Sequence, residues 1–186
     1  MMPFTFALFV LALPLVGKAN VPANIFLETN NSQQRLRVQL ALQSLREYPV
    51  GALLLDEIAQ SPHQLHIRHN PYSLSSVGKT LLPLTRKLSN GIGDNATIEM
   101  HLDIPEGGSH LVSECTKGWI PFSFLQNLAH ELRHARDGMT GKFVGHRYEQ
   151  DAVDTENQLR KEMGIQEQRC LQENEENVLQ IWWPKL

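Results

Sequence analysis

Phe124, Leu128 and Leu132 recur at every fourth residue through FSFLQNLAHELRHARDG (122–138). That spacing fits a helix with one apolar side and fits little else, so whatever fold the chain adopts has to bury this side against another element. The same stretch carries His130, Glu131 and His134. Residues four apart on a helix lie one above the other, so both imidazoles can reach a single cation. Glu131 projects about 100° further round the axis. There it can hydrogen-bond a metal-bound water without binding the metal, which suits a general base. The bland alternative is a solvated helix face with ordinary surface histidines, and it requires no third ligand downstream.

A catalytic zinc needs three protein ligands and an open position. After a glycine-punctuated loop (139–147), a last helix expected over about Tyr148 to Met163 offers Glu149, Asp151, Asp154 and Glu156. Glu149 is the expected third ligand. It follows His134 by fifteen positions, and Ala152, one turn on, lets the two helices approach closely. Glu156 lies almost two turns further along nearly the same face. It is the alternative ligand, or an acceptor that orients an imidazole. His146 and Tyr148, at the mouth of this helix, are candidates to stabilise an oxyanion.

The remaining elements follow from periodicity and punctuation. SQQRLRVQLALQSLREY (32–48) predicts a helix capped by Ser32, with Leu36, Leu40 and Leu45 on its apolar face; VGALLLDEIAQS (50–61) predicts a second that packs back on it and stops before Pro62. HQLHIRHN (63–70) alternates as a short strand, and ATIEMHLDI (96–104) as the cleanest strand of the chain. Residues 72–93 have no period beyond a weak strand near Leu81, and 111–120 is expected to be irregular. The motif helix is expected to end at Asp137-Gly138 and the last helix at Gly164. His63, His66 and His69 carry no patterned acidic partner and are taken as surface or turn residues. Arg133 and Arg136 are expected to pair with acids of the tail, and Trp182 and Trp183 to pack on the body.

With 186 residues, 41% of them apolar, the chain suits one domain. A net charge of −3 lacks the basic face that nucleic acid requires. Residues 1–19 read as a secretory signal, with an apolar run from Phe4 to Val16 and small residues at Gly17 and Ala19, although no Lys or Arg precedes the run. A single domain over 20–186, monomeric and without stable membrane association, is then expected. Cys115 and Cys170 are the only cysteines, and an exported chain can bridge them.

FLQNLAHELRHARDGMTG followed by YEQDAVDTENQLRKEMG resembles the NleD-like zinc metallopeptidases, bacterial effector proteases delivered into host cells by type III secretion. The resemblance rests on His130 to Ala135, Gly138, Glu149 with Ala152, and Glu156-Asn157 with Arg160, Glu162 and Gly164. It implies an α+β, zincin-like domain in which the motif helix and the Glu-bearing helix pack on a short mixed or antiparallel sheet. It also implies zinc at His130 and His134, Glu131 as catalytic base, and a protein substrate such as a host signalling protein. The strand ATIEMHLDI is the candidate to pair with extended substrate. The apolar leader departs from the polar start usual for such effectors. Two other readings are a metal-binding protein without protease activity and a toxin against competing bacteria.

Overall fold

A computed structural model describes residues 21–71, 78–83, 86–103, 110–113, 119–143 and 145–171. The expected leader, Cys115, and the tail with Trp182 and Trp183 lie outside the described residues. The chain is α+β. Four helices and a four-stranded mixed sheet form the body, and a separate two-stranded hairpin lies beside them.

The sheet has the order β1-β2-β4-β3, from β1 (Ile25–Glu28), β2 (Leu65–His69), β3 (Lys79–Leu81) and β4 (Ala96–Met100). The first three in that order are parallel, and β3 runs antiparallel to β4. Register aligns Ile25 with Leu65 and Ala96, and Leu27 with Ile67 and Ile98, so one face is continuously apolar. The opposite face aligns Glu28, Arg68 and Glu99, and Arg68 pairs with Glu99 there. Side chains alternate across a strand, so this one register decides which face is dry.

The helices cover the dry face. In α1 (Ser32–Leu45) the cap is Asn31, whose Oδ1 accepts the N–H groups of Gln33 and Gln34, and Ser32 is already helical. Its buried side is Val38, Ala41, Leu42 and Leu45, while Leu36 and Leu40 are exposed, against expectation. Both faces carry leucine, and only the position of the neighbouring sheet decides between them. In α2 (Pro49–Gln60), proline fills the first turn, where its missing N–H costs nothing. Gly51 lets α2 cross the end of α1, because a Cβ there would sit 2.2 Å from the Leu45 carbonyl oxygen.

The motif helix α3 (Phe124–Thr140) starts at a capping box between Ser123 and Gln126 and buries Leu128, Leu132, Ala135 and Met139 in the main core. It does not end at Gly138. It runs on to Gly141, which adopts φ +68° and closes it by donating to Gly138 O. Gly138 is an interior contact, since a Cβ there would meet the Leu82 side chain at 2.4 Å. The last helix, α4 (Tyr148–Glu162), packs along α3 through Ala152, Val153, Thr155 and Leu159. Residues 111–120 are not all irregular: β5 (His110–Ser113) and β6 (Trp119–Phe122) form an antiparallel pair. Pro121 hid this strand, because proline is tolerated in sheets only at edges and bulges. The strand ATIEMHLDI stops at Met100.

Candidate metal centre

The α3 face that bears the histidines is turned toward α4 and the β3 edge of the sheet. His130 and His134 are both buried, and their Nε2 atoms converge to 3.1 Å. Glu149, from the first turn of α4, completes the group: Oε2 lies 3.4 Å from His130 Nε2 and Oε1 lies 3.5 Å from His134 Nε2. A tetrahedral ion with bonds of about 2.0–2.1 Å holds neighbouring donors roughly 3.3 Å apart. The two imidazole nitrogens have that spacing and each lies 3.4–3.5 Å from one oxygen of Glu149, so this group can hold a metal ion. Burial works against a charge on Glu149. Hydrogen bonds from His130 and His134 outweigh it and hold the carboxyl well below the usual carboxylate range.

Tyr148 precedes Glu149 and stacks on the His134 ring at 3.6 Å between centroids, with Phe143 tilted behind it. Burial, and then the nearby carboxylates of Glu131, Glu149 and Asp137, push the Tyr148 hydroxyl well above its ordinary value. It therefore keeps its proton near neutral pH. The His146 side chain lies outside the described residues.

Glu131 points to the other side, toward β3. Its Oε2 accepts the Thr80 hydroxyl at 2.6 Å, and the same hydroxyl lies 3.0 Å from the Glu131 carbonyl oxygen. Gly78 gives the carboxylate room, because a Cβ there would sit 2.6 Å from Glu131 Cγ. Gly78 N–H in turn donates to Asn127 Oδ1 on α3, tying β3 to the motif helix. Burial pushes the Glu131 carboxyl above its ordinary value, against the opposing pull of His130 and the Thr80 hydrogen bond.

Glu156 is placed away from the cluster, behind His130. Its Oε2 is 3.8 Å from His130 Nδ1, the ring nitrogen that faces away from the converging donors. The structure thus separates the two glutamates that the sequence left as alternatives: Glu149 joins the group, and Glu156 faces the back of an imidazole.

A family model described as Peptidase_M91, effector protein, matches residues 25–163. The chain belongs to that family. No curated protein matches it. As a Peptidase_M91 member it is a peptidase of an effector family, and its substrate is a polypeptide. The matched stretch takes in every described helix and strand, and with them His130, Glu131, His134 and Glu149.

Two expectations about this Peptidase_M91 chain are corrected, and a third falls partly outside the described residues. Arg133 pairs with Asp137 and Asp151, and Arg136 with Glu57 and Asp137, so both arginines lock α3 to its neighbouring helices, while the tail from residue 172 lies outside the described residues. His66 and His69 do have acidic partners, Glu28 and Asp103, brought to them by parallel strand pairing that local sequence cannot show. His69, His101 and Asp103 cluster together, but His69 Nδ1 accepts the Leu102 N–H at 3.1 Å. A neutral ring then carries its proton on Nε2 and gives it to Asp103, leaving no lone pair for a cation there. Finally, β4 lies between β2 and β3, so its backbone is already paired on both sides and cannot receive a substrate strand. No helix among the described residues is long and apolar enough to cross a membrane.

Proposed function

We propose that the chain is a zinc-dependent endopeptidase whose ion is held by His130, His134 and Glu149 and whose general base is Glu131. The observation that carries this reading is the convergence of two buried imidazole nitrogens, 3.1 Å apart, on the Glu149 carboxylate, one oxygen 3.4–3.5 Å from each, next to a buried carboxylate that does not join them. Zinc is the ion that this donor set of two imidazoles and one carboxylate suits, and when bound it supplies a Lewis acid and lowers the pKa of a water toward about 7.

The rest of the chemistry belongs to the chain. Glu131, steadied by Thr80, takes a proton from the attacking water and returns it to the leaving amine. Its raised proton affinity helps it to hold that proton between the two transfers. Tyr148, kept protonated, is a donor for the oxyanion that develops on the scissile carbonyl. The substrate lies extended along β3, which among the described residues pairs only with β4 and so leaves one edge of backbone donors and acceptors. Delivery outside the producing cell after loss of residues 1–19, a host signalling protein as target, and a monomeric 20–186 domain complete the reading.

Elemental analysis of the chain without its first nineteen residues tests the site. About one zinc per chain is expected, lost in Glu149→Ala and kept in Glu156→Gln. No metal in the parent after zinc is supplied would sink the reading. Glu131→Gln should stop cleavage while zinc stays bound, and His134→Ala should lose both; a Glu131→Gln protein that still cleaves would remove Glu131 from its role.

A further inference from the structure

Glu156 is fully buried, and each of its oxygens meets a different cation. Arg160 Nε donates to Oε1 at 3.0 Å from one turn along the same helix. Arg169 Nη1 donates to Oε2 at 3.1 Å from outside the helix altogether. The chain turns back after α4 at Gly164, which has φ +77°, and Asn157 then grips the Arg169 backbone with both ends of its amide. Asn157 Nδ2 donates to Arg169 O and its Oδ1 accepts Arg169 N–H, each at 2.8 Å. The guanidinium lies over the Phe122 ring at 5.5 Å. The same Nη1 is 3.4 Å from His130 Nδ1.

His130 Nδ1 therefore faces one obligate donor and one acceptor. An imidazole that gives its Nε2 lone pair to a metal carries its proton on Nδ1 and hands it to an acceptor, and that outer partner fixes the ring. A guanidinium has no acceptor atom, so Glu156 Oε2 is the atom suited to this work. Arg169 holds that oxygen beside the ring, while Arg160 occupies the other one. The next residue, Cys170, is disulfide-bonded, so a covalent tie holds the segment that carries Arg169. Both residues lie beyond residue 163, where the match to the family model ends.

We propose that Arg169 is a positioning residue for the metal centre, acting on His130 through Glu156, and that the Cys170 disulfide keeps it in place. This rests on the metal reading given above. Zinc affinity of the full chain, measured by competition with a chromogenic chelator, tests it, with the melting temperature of the metal-free protein as control. Arg169→Met keeps a stem over Phe122 and removes the charge; it should weaken zinc binding by about 10- to 100-fold, the range for loss of an outer partner of a ligand. Arg169→Lys should recover part of that loss, because an ammonium still donates to Glu156. Cys115→Ser with Cys170→Ser should also bind more weakly, with Arg169 intact.

A parent that binds no zinc overturns the metal reading and this proposal with it. A parent that binds, with Arg169→Met equally tight, overturns this proposal alone. So does an Arg169→Lys protein as weak as Arg169→Met, or a loss in affinity matched by an equal loss of metal-free stability. Unchanged affinity in the cysteine double variant overturns the tether.

Discussion

Glu131 and Thr80 show how a single side chain acquires a role. A glutamate on a helix facing a histidine-rich cleft is free to swing; one whose carboxylate accepts a hydroxyl at 2.6 Å is not. Thr80→Val keeps the shape and removes that donor. Hydrogen bonds to charged groups are worth about 1.5–3 kcal/mol, so turnover should fall by roughly tenfold or more with zinc content unchanged. Glu131 also carries a cost. Its carboxyl is held above the ordinary value, so the folded chain binds its proton more tightly than the unfolded chain does. The stability linked to that proton is full below the unfolded value of about 4.3 and is lost as pH rises through the folded value. Metal-free Glu131→Gln should therefore melt above the parent at pH 7, by about 2–4 °C for each kcal/mol recovered, and the gap should close on titration toward pH 4. A gap that widens on acidification would show that Glu131 is not a buried, destabilised carboxylate.

At the scale of elements, short-range pattern decided what could be read in advance. Apolar helical rows gave α1, α2 and α3, the Gly164 stop bounded α4, and strict alternation gave β2 and β4. The juxtaposition of His130 and His134 was legible for the same reason, since helical spacing alone brings one above the other, whereas the choice between Glu149 and Glu156 was left open. What was illegible depends on partners distant in sequence. The strand β1 is four residues of ordinary composition that become a strand through parallel pairing with β2. The β3 contribution to Glu131 comes from 51 residues away. Arg169 reaches His130 across 39 residues; Gly164 announces the turn, but nothing local shows where the chain goes after it. The end of α3 was misplaced because two glycines, Gly138 and Gly141, compete for the cap, and only φ separates them. Gly141→Ala should be the costly change: φ +68° is strained for alanine, and its Cβ would sit 2.5 Å from Ile92 N. A loss of about 1–3 kcal/mol in urea denaturation is expected.

The whole molecule is organised around one dry face of the sheet, with every helix packed on the same core and the other face carrying the Glu28, Arg68 and Glu99 row. Parallel strands more often have both faces covered. Among the described residues the main core lies on that one face, and a ligand that binds only the folded chain should register in its stability. Zinc at 100 times its dissociation constant adds about 2.7 kcal/mol. At about 2–4 °C per kcal/mol, the melting temperature should rise by roughly 5–11 °C and return to baseline with a chelator. A melting temperature indifferent to zinc would count against a metal site in the folded chain.

His130, His134 and Glu149, the group able to hold a metal ion, sit on two consecutive helices, so the stretch from His130 to Glu149 closes on itself as a helical hairpin. Loop closure over so short a separation costs little entropy and is fast, whereas bringing Thr80 to Glu131 requires the sheet to assemble first. Under the proposed function, capture of the ion and anchoring of the base are therefore distinct events. On that reading, the hairpin is able to take up its metal before Thr80 anchors the proton acceptor, and cleavage then waits on the docking of β3.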